Sequence, residues 1–166
     1  GGIADAMALA EEFSNNQSVL VMLGDNIFNF DLKTAMDRFE QKVEKEKKAA
    51  MVFGVKRTTD IRQYGVIEMD ENGKVLSIEE KPENPKSDIV QTGIYAYDHR
   101  VFDIVRTLQP SGRGQLEVTD VNIAYLSEGA LSCELIDWWV DAGTSHDELL
   151  LANVQVAERV KEGKFS

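Results

Sequence analysis

The chain has 166 residues, of which 43% are hydrophobic and 28% charged, and its 29 acidic and 18 basic residues give a formal net charge of −11. A chain of this length can bury one substantial core, so we expect residues 1–166 to form a single domain rather than two. The acidic balance argues against nonspecific nucleic-acid binding, which needs lysine and arginine to neutralise phosphates, although a few local cations can still hold a small phosphorylated ligand.

The first third of the sequence alternates helices and strands. Apolar residues recur at helical spacing in residues 3–13 and 31–48, which predicts two amphipathic helices. The nearly continuous apolar runs at 18–23 and 49–55 predict strands buried on both faces, as is typical of parallel sheets. This alternation favours an α/β fold with a mainly parallel sheet flanked by helices.

A small antiparallel ribbon is predicted next. Residues 64–69 and 74–79 flank a turn that contains Asn72 and Gly73. An Asn-Gly pair supplies the positive φ that a tight hairpin turn requires.

The remaining sequence returns to single strands and helices. We predict strands at 90–97 and 131–137, a loop at 110–114, a compact turn at 138–143, and helices at 100–108, 118–128 and about 145–161. The side chain of Thr119 or Asp120 is expected to cap the helix at 118–128, and Thr144 or Ser145 the last helix.

Two aspartates that follow apolar strands are candidates for one metal site. Asp25 comes directly after the run at 18–23, and Gly24 lets the backbone turn or approach a ligand closely. Asp141 also lies between an apolar strand and a helix. Because ligands bind beyond the carboxyl ends of strands in open α/β sheets, the two carboxylates could share a Mg²⁺ ion. The ordinary alternative is that Asp25 or Asn26 only caps a turn.

Three further positions are candidates for contact with a ligand. Lys81 lies beside Glu79 and Glu80 and just before a proline, which restricts its backbone; a solvated charge cluster is the common alternative. Arg113 lies between two glycines, in a loop that can bring a guanidinium onto a phosphate or is simply a surface loop. Gly65 could admit a sugar ring against bare backbone, or could only begin a strand.

Other chemistries are disfavoured. His99 and His146 lack partners at the spacing of a zinc site, and no serine occupies a G-x-S-x-G elbow. The one cysteine, Cys133, lies in a predicted buried strand, so we interpret it as core packing and expect a reducing, cytoplasmic location. The sequence shows no signal peptide and no apolar run near the ~20 residues of a membrane span, so we expect no membrane association.

Six short motifs follow one another in a specific order: LGDN, YGVIE, EKP, TGIYAYD, SGRGQLEVTDVN and WVDAGT. In sequence and spacing they resemble the sugar-1-phosphate nucleotidyltransferases, most closely those members that use dTTP or UTP with glucose 1-phosphate. The resemblance covers nearly the whole chain. It implies a Rossmann-like α/β fold and the transfer of a nucleotidyl group from a nucleoside triphosphate to a hexose 1-phosphate.

The resemblance also implies roles for individual residues. Asp25 and Asp141 match the two aspartates that hold Mg²⁺ in this family, and Lys81 and Arg113 match the cations that bind the sugar phosphate. Gly2 matches a position near the nucleotide base and ribose. Three matched positions hold the hexose, namely Asn26, Gly65 and Glu80, and Tyr64 beside Gly65 is also expected to bind substrate.

Departures from the family pattern lead to further expectations. The glycine-rich G-x-G-x-R-L loop that cradles the triphosphate in this family has no match here. We therefore expect an incomplete domain that shows little transfer by itself and tends to associate through the edge of the strand at 18–23. Such a chain could instead bind a sugar phosphate or a partner chain, including a second copy of itself, without turnover.

Two smaller points concern the site itself. Gln91 stands where the family commonly has a small apolar residue, and it could adjust the contacts to the sugar. A metal-dependent glycosyltransferase is disfavoured, because such enzymes usually carry a D-x-D pair, whereas Asn26 and Ile27 follow Asp25 here.

Overall fold

The computed structural model describes residues 2–109, 116–143 and 145–165. Its helices are α1 (Ile3–Ala8), α2 (Glu11–Ser14), α3 (Leu32–Glu46), α4 (Val101–Thr107), α5 (Val118–Ser127) and α6 (His146–Lys161), with a 3₁₀ turn at Ile61–Gln63. Its strands are β1 (Val19–Met22), β2 (Asn26–Phe28), β3 (Ala50–Lys56), β4 (Gly65–Met69), β5 (Val75–Glu80), β6 (Ile89–Tyr97), β7 (Leu131–Leu135) and β8 (Trp139–Asp141). No helix in these described ranges is long and apolar enough to cross a membrane.

Strand β6 is the centre of the main sheet, and all nine of its residues are buried. The sheet has the order β5-β4-β6-β3-β7, and β1 also pairs with β6. Strand β3 lies along one side of β6, whereas the other side is shared: β4 pairs with it at Val90, and β1 pairs with it from Ile94 to Tyr97. Residues 91–93 therefore lie where β4 and β1 separate, and this opening positions the site described below.

Helices cover the two faces of the sheet around β3 and β6, which explains why both strands read as continuous apolar runs. One face packs against residues of α1, α4 and α5, among them Met7, Phe102 and Tyr125. The other face packs against Ala35 and Phe39 of α3. Successive residues of a strand point to opposite faces, so both sets of side chains must be apolar.

The mixed α/β sheet flanked by helices confirms the predicted fold class, but the expected strand direction is wrong. Among the strands of the described residues, only β3 and β7 run parallel, and all the other pairs are antiparallel. An antiparallel strand between two helical layers has the same apolar pattern as a parallel one, so the pattern reports burial and not direction. Strand β1 is not buried on both faces either, since Leu20 and Met22 are exposed.

Three local predictions are also wrong. The helix expected at 3–13 is broken into α1 and α2 at Leu9 and Ala10. Helix α5 begins after Glu117, so neither Thr119 nor Asp120 is its cap. The segment 138–143 is more than a turn, because β8 pairs with β2 in a second, two-stranded sheet.

Two other local predictions are confirmed. The ribbon of β4 and β5 turns through Gly73, whose φ of 79° is in the left-handed region, and the Asp70 carboxylate accepts hydrogen bonds from the backbone of Asn72 and Lys74. Ser145 caps α6 by accepting a hydrogen bond from the backbone N–H of Glu148.

Candidate active site

A cavity of about 250 Å³ opens beside β6, where β4 and β1 separate. Its wall includes seven of the residues predicted for the site: Asp25, Asn26, Tyr64, Gly65, Glu80, Lys81 and Asp141. Strand β6 contributes Gln91, Thr92 and Gly93 to the same wall. The fold thus brings residues that are far apart in sequence to one place.

The small sheet of β2 and β8 brings the two candidate metal ligands together. Asn26 pairs with Asp141 across this sheet, and the carbonyl of Asp25 accepts a hydrogen bond from Ala142 N at 2.8 Å. The Asp141 carboxylate accepts a hydrogen bond from Gly143 N at 3.0 Å. The Asp25 carboxylate also lies against Gly143, since a Cβ on that glycine would be 2.1 Å from Asp25 Oδ2. Both carboxylates therefore border the same glycine.

This pair of carboxylates suits a divalent cation with oxygen ligands. Mg²⁺ is commonly bound by one or two carboxylates and completes its shell with waters and substrate phosphates. No third aspartate, glutamate, histidine or cysteine of the described residues joins the pair in a metal-sized group. The donor set fits an ion that is shared with a phosphorylated substrate better than one enclosed by the protein.

Asn26 holds Asp25 in place, a role that the sequence did not reveal. Its Oδ1 accepts hydrogen bonds from Gly93 N at 2.7 Å and from the indole N–H of Trp139 at 2.6 Å. Its Nδ2 donates to Asp25 Oδ1 at 2.8 Å. These bonds use both lone pairs of the amide oxygen, so Asn26 can reach a substrate only through its second amide hydrogen.

Lys81 has an unusual backbone conformation at the edge of the cavity. Its φ of 47° is in the left-handed region, which is uncommon for a residue other than glycine and is disfavoured further by Pro82. A hydrogen bond from Lys81 N to the carbonyl of Tyr64, at 3.1 Å, holds this conformation. Backbone strain of this kind clusters at functional sites.

The cavity wall is strongly acidic. Its described residues include the carboxylates of Asp25, Glu80, Glu117 and Asp141 against a single cationic side chain, that of Lys81. Burial, followed by the negative charges of Glu80 and Asp25, raises the pKa of the Tyr95 hydroxyl, which therefore stays protonated. A bound cation would offset this concentration of negative charge before an anionic substrate enters.

A further acidic group lies close by on α5. Burial raises the pKa of the Asp120 carboxyl, and the neighbouring Glu117 and Glu80 raise it further. Burial also raises the pKa of the Tyr64 hydroxyl, which the positive charge of Arg57 partly opposes. The Arg57 guanidinium lies 5.0 Å from the centre of the Tyr64 ring.

Two glycines of the wall, Gly65 and Gly93, and the nearby Gly143 each leave space for a polar side chain of the site. A Cβ on Gly65 would be 2.2 Å from Gln91 Nε2, and one on Gly93 would be 2.7 Å from both polar atoms of the Asn26 amide. Gly143 has the same relation to Asp25. The space that a side chain at position 65 would take is thus occupied by Gln91, while Gly65 itself lines the cavity.

Glu80 is fixed by residues that the sequence analysis did not identify as a group. Its Oε2 accepts a hydrogen bond from the Thr119 hydroxyl at 2.6 Å, and that hydroxyl accepts one from Gln91 Nε2 at 2.7 Å. Thr119 was predicted only as a possible helix cap, because nothing in its local sequence indicates that α5 points it at β5. The unusual polar residue at position 91 was the only signal of this arrangement.

Two residues predicted for the site, Gly2 and Arg113, are not among the described residues that line the cavity. Gly2 lies against the backbone of Leu116, where a Cβ would be 2.7 Å from the carbonyl oxygen, and its neighbour Ile3 lines the cavity. Arg113 lies outside the described residues, as do the glycines on either side of it.

Comparisons with known proteins identify close relatives. Residues 1–159 match the family described as Nucleotidyl transferase. A glucose-1-phosphate thymidylyltransferase of Neisseria gonorrhoeae is 43% identical over 146 residues, which are 86% of this chain and 49% of that protein. The enzyme of the same name from Actinoplanes sp. is 42% identical over 168 residues, which are 99% of this chain and 53% of that protein. The chain spans about half the length of the curated relatives it matches.

Solved structures have the same fold. A protein from Bacillus anthracis, provisionally named glucose-1-phosphate thymidylyltransferase and crystallised in complex with a sucrose, superposes with a TM-score of 0.83 at 42% identity, over 93% of this chain and 61% of that one. UDP-glucose pyrophosphorylase complexed with UDP-glucose superposes with a TM-score of 0.77 at 19% identity, over 95% of this chain and 63% of that one.

Proposed function

The chain belongs to the nucleotidyl transferase family. On that premise we propose that the protein transfers a nucleotidyl group from dTTP or UTP to a hexose 1-phosphate, and that this substrate is glucose 1-phosphate. The observation that carries this proposal is the meeting of Asp25, Asp141, Glu80 and Lys81 in one cavity. The pair of aspartates suits the metal and phosphates of a nucleotide, and the glutamate and lysine suit a sugar phosphate.

The proposed reaction needs little proton chemistry, because the nucleophile is already an anion. A phosphate oxygen of the hexose 1-phosphate attacks the α-phosphorus of the triphosphate and forms a new P–O bond. The bond from the α-phosphorus to the oxygen that bridges it to the β-phosphorus breaks, and pyrophosphate leaves with the electron pair. Catalysis then consists of aligning two anions and neutralising their charge.

Three residues, Lys81, Glu80 and Arg113, have proposed tasks at the sugar phosphate in this scheme. Lys81 offsets the repulsion between the sugar phosphate and the triphosphate, and its fixed backbone limits where the ammonium group can lie. Glu80 accepts hydrogen bonds from sugar hydroxyls, which discriminates well because a wrong epimer leaves a buried polar group unpaired. Arg113 is proposed as the second cation for the sugar phosphate.

A metal ion belongs to the proposal as well. Nucleotidyl transferases of this family generally use a divalent metal ion. We propose Mg²⁺, held by Asp25 and Asp141, where it would neutralise charge on the nucleotide phosphates. Asn26 keeps Asp25 oriented through its hydrogen bond to Oδ1.

Pyrophosphate release from the full-length protein tests the proposed function. The assay pairs each nucleoside triphosphate with glucose 1-phosphate and with its mannose and galactose epimers, in the presence of Mg²⁺. We expect release with dTTP or UTP and glucose 1-phosphate, and its loss in Asp25→Asn and in Asp141→Asn. Binding of hexose 1-phosphate without release of pyrophosphate would support a noncatalytic binding role instead.

Three further proposals concern the whole protein. We propose that residues 1–166 belong to one domain, that the protein is cytoplasmic, and that it forms a homo-oligomer. Solution mass and cell fractionation of the full-length protein test the last two.

A further inference from the structure

We infer that Gln91 is a positioning residue for the sugar end of the site, and that it fixes the Glu80 carboxylate through the hydroxyl of Thr119. The inference rests on the proposed function, because it assigns Gln91 a part in recognising the hexose of the hexose 1-phosphate. Gln91 does not carry out the reaction in this account. It determines where the carboxylate that reads the sugar hydroxyls lies.

A chain of four hydrogen bonds runs from the core to the cavity. The hydroxyl of Tyr97 donates to Asn122 Oδ1 at 2.7 Å, and Asn122 Nδ2 donates to Gln91 Oε1 at 3.2 Å. Gln91 Nε2 donates to the Thr119 hydroxyl at 2.7 Å, and that hydroxyl donates to Glu80 Oε2 at 2.6 Å. Every donor in the chain points toward Glu80.

The direction of the chain follows from the chemistry of its members. The Glu80 carboxylate can only accept, so the Thr119 hydroxyl must donate to it and must in turn accept from Gln91 Nε2. Gln91 therefore presents its oxygen to Asn122 and its nitrogen to Thr119. A threonine hydroxyl has one proton, so once it accepts from Gln91 that proton is left for Glu80. The opposite orientation of the Gln91 amide would attract the proton away from Glu80.

The members of this hydrogen-bond chain are buried in the interior, which leaves their side chains little freedom to rearrange. Tyr97 and Asn122 are 0% exposed, Thr119 is 1% exposed and Gln91 is 6% exposed. The ring of Tyr97 also stacks on that of Tyr125, with 5.7 Å between the ring centres. Buried polar groups are costly to leave unpaired, so each link holds the next in one orientation.

Gln91 also contacts the strand pair that carries Glu80. Gly65 is directly opposite Glu80 in the pairing of β4 and β5. The Gln91 side chain lies on the bare backbone of Gly65, since a Cβ there would be 2.2 Å from its Nε2 and 2.8 Å from its Cγ. Gln91 thus fills the cavity wall beside Glu80 while it orients the carboxylate through Thr119.

The consequence concerns sugar recognition. A carboxylate that accepts a hydrogen bond at a fixed position keeps one orientation toward the cavity. A hydroxyl group of the hexose then meets an acceptor whose position does not adapt to a wrong epimer. Loss of the Thr119 donor would remove one fixed constraint on the Glu80 carboxylate, and discrimination between epimers would fall.

Kinetics on the full-length protein test the inference with three variants. Thr119→Val keeps the shape of residue 119 but removes the hydroxyl, and Gln91→Leu removes the amide. Thr119→Ser restores the hydroxyl and serves as the matched rescue. We expect both loss variants to raise KM for glucose 1-phosphate about tenfold or more, as expected for a lost hydrogen bond to a charged group, and to change KM for dTTP less than about twofold. The preference for glucose 1-phosphate over its galactose epimer should also fall about tenfold, and Thr119→Ser should recover most of both effects.

Calorimetric binding of glucose 1-phosphate, with the melting temperature measured alongside, separates this inference from the proposed function. Wild-type protein that binds the sugar phosphate but does not release pyrophosphate would refute the proposed transferase activity, while weaker binding by folded Thr119→Val would still support the positioning role. Folded Thr119→Val with unchanged KM, binding and epimer preference would overturn the inference. So would equal losses for both substrates, because a purely structural role would affect them alike. Wild-type protein that neither binds nor converts any hexose 1-phosphate would refute both.

Discussion

Gly143→Ala should abolish most of the activity while leaving the fold intact. Gly143 is exposed, so the fold gains little from its small size. The Asp25 side chain occupies the space of the missing Cβ, and Asp141 accepts a hydrogen bond from the Gly143 N–H. One added methyl group therefore acts directly on the pair of candidate metal ligands.

The distances around Gly143 give the size of the effect. A Cβ on Gly143 would be 2.1 Å from Asp25 Oδ2 and 2.7 Å from both Cβ and Cγ of Asp25, whereas ordinary contacts begin at 3.4 Å. Rotation about χ1 moves the oxygen but not Asp25 Cβ, so the backbone must also shift. Displacement of a catalytic group by about 1 Å costs on the order of 100-fold in rate, and we expect turnover of the full-length protein to fall by roughly that factor.

The experiment has a matched control in the residue next to Asp25. A Cβ on Gly24 would have no heavy atom within 4 Å, and its φ is not positive, so Gly24→Ala should keep turnover within about twofold of wild type. Turnover, the apparent affinity for Mg²⁺ and the melting temperature would be measured for both variants. Gly143→Ala with wild-type turnover would refute our account of how Asp25 is held.

Four further outcomes are expected. Lys81→Ala should weaken binding of glucose 1-phosphate by roughly 10- to 100-fold in calorimetry but leave free glucose unaffected; equal losses would assign Lys81 to the fold or the sugar ring. The raised pKa of Asp120 means that folding disfavours its charged form, so stability is lost as pH rises from the unfolded pKa through the folded pKa. Asp120→Asn should therefore gain stability relative to wild type between pH 3 and pH 7 in urea titrations, and a constant difference would contradict this. Burial raises the pKa of Cys133 to about 12, so iodoacetamide should label the native protein very slowly at pH 8 and the unfolded protein quickly; equal rates would show an accessible thiolate. The 166-residue chain by itself should self-associate through the exposed side of β1, and Leu20→Lys should reduce its mass in light scattering toward that of a monomer.

Elements with a strong local signal could be predicted from the sequence. The hairpin at Gly73 was found because an Asn-Gly turn needs positive φ, and the long helix α3 because its apolar residues recur at helical spacing. The candidate residues Asp25 and Lys81 were found through their places at strand ends, and the structure brings them into one cavity.

Other features depend on contacts that a linear pattern does not contain. Strands β2 and β8 have three residues each, too few to show a period of two, so the sheet that joins Asp25 to Asp141 was missed. Strand direction was wrong because burial between two layers gives the same pattern in either direction. The roles of Asn26 and Thr119 arise from side chains that meet across distant elements.

The contact between Gln91 and Gly65 makes the effects of substitution at these two positions depend on each other. While glutamine is present, Gly65→Ala places a methyl group inside its side chain, 2.2 Å from Nε2, and should be strongly deleterious. If position 91 first becomes alanine, the three atoms nearest to this methyl group are gone, and we expect the substitution to be tolerated. The two substitutions therefore have a preferred order, because Gln91 must be replaced by a smaller residue before Gly65 can accept a side chain. Libraries that aim to broaden sugar use should vary the two positions together, since scanning them one at a time would score Gly65 as immutable.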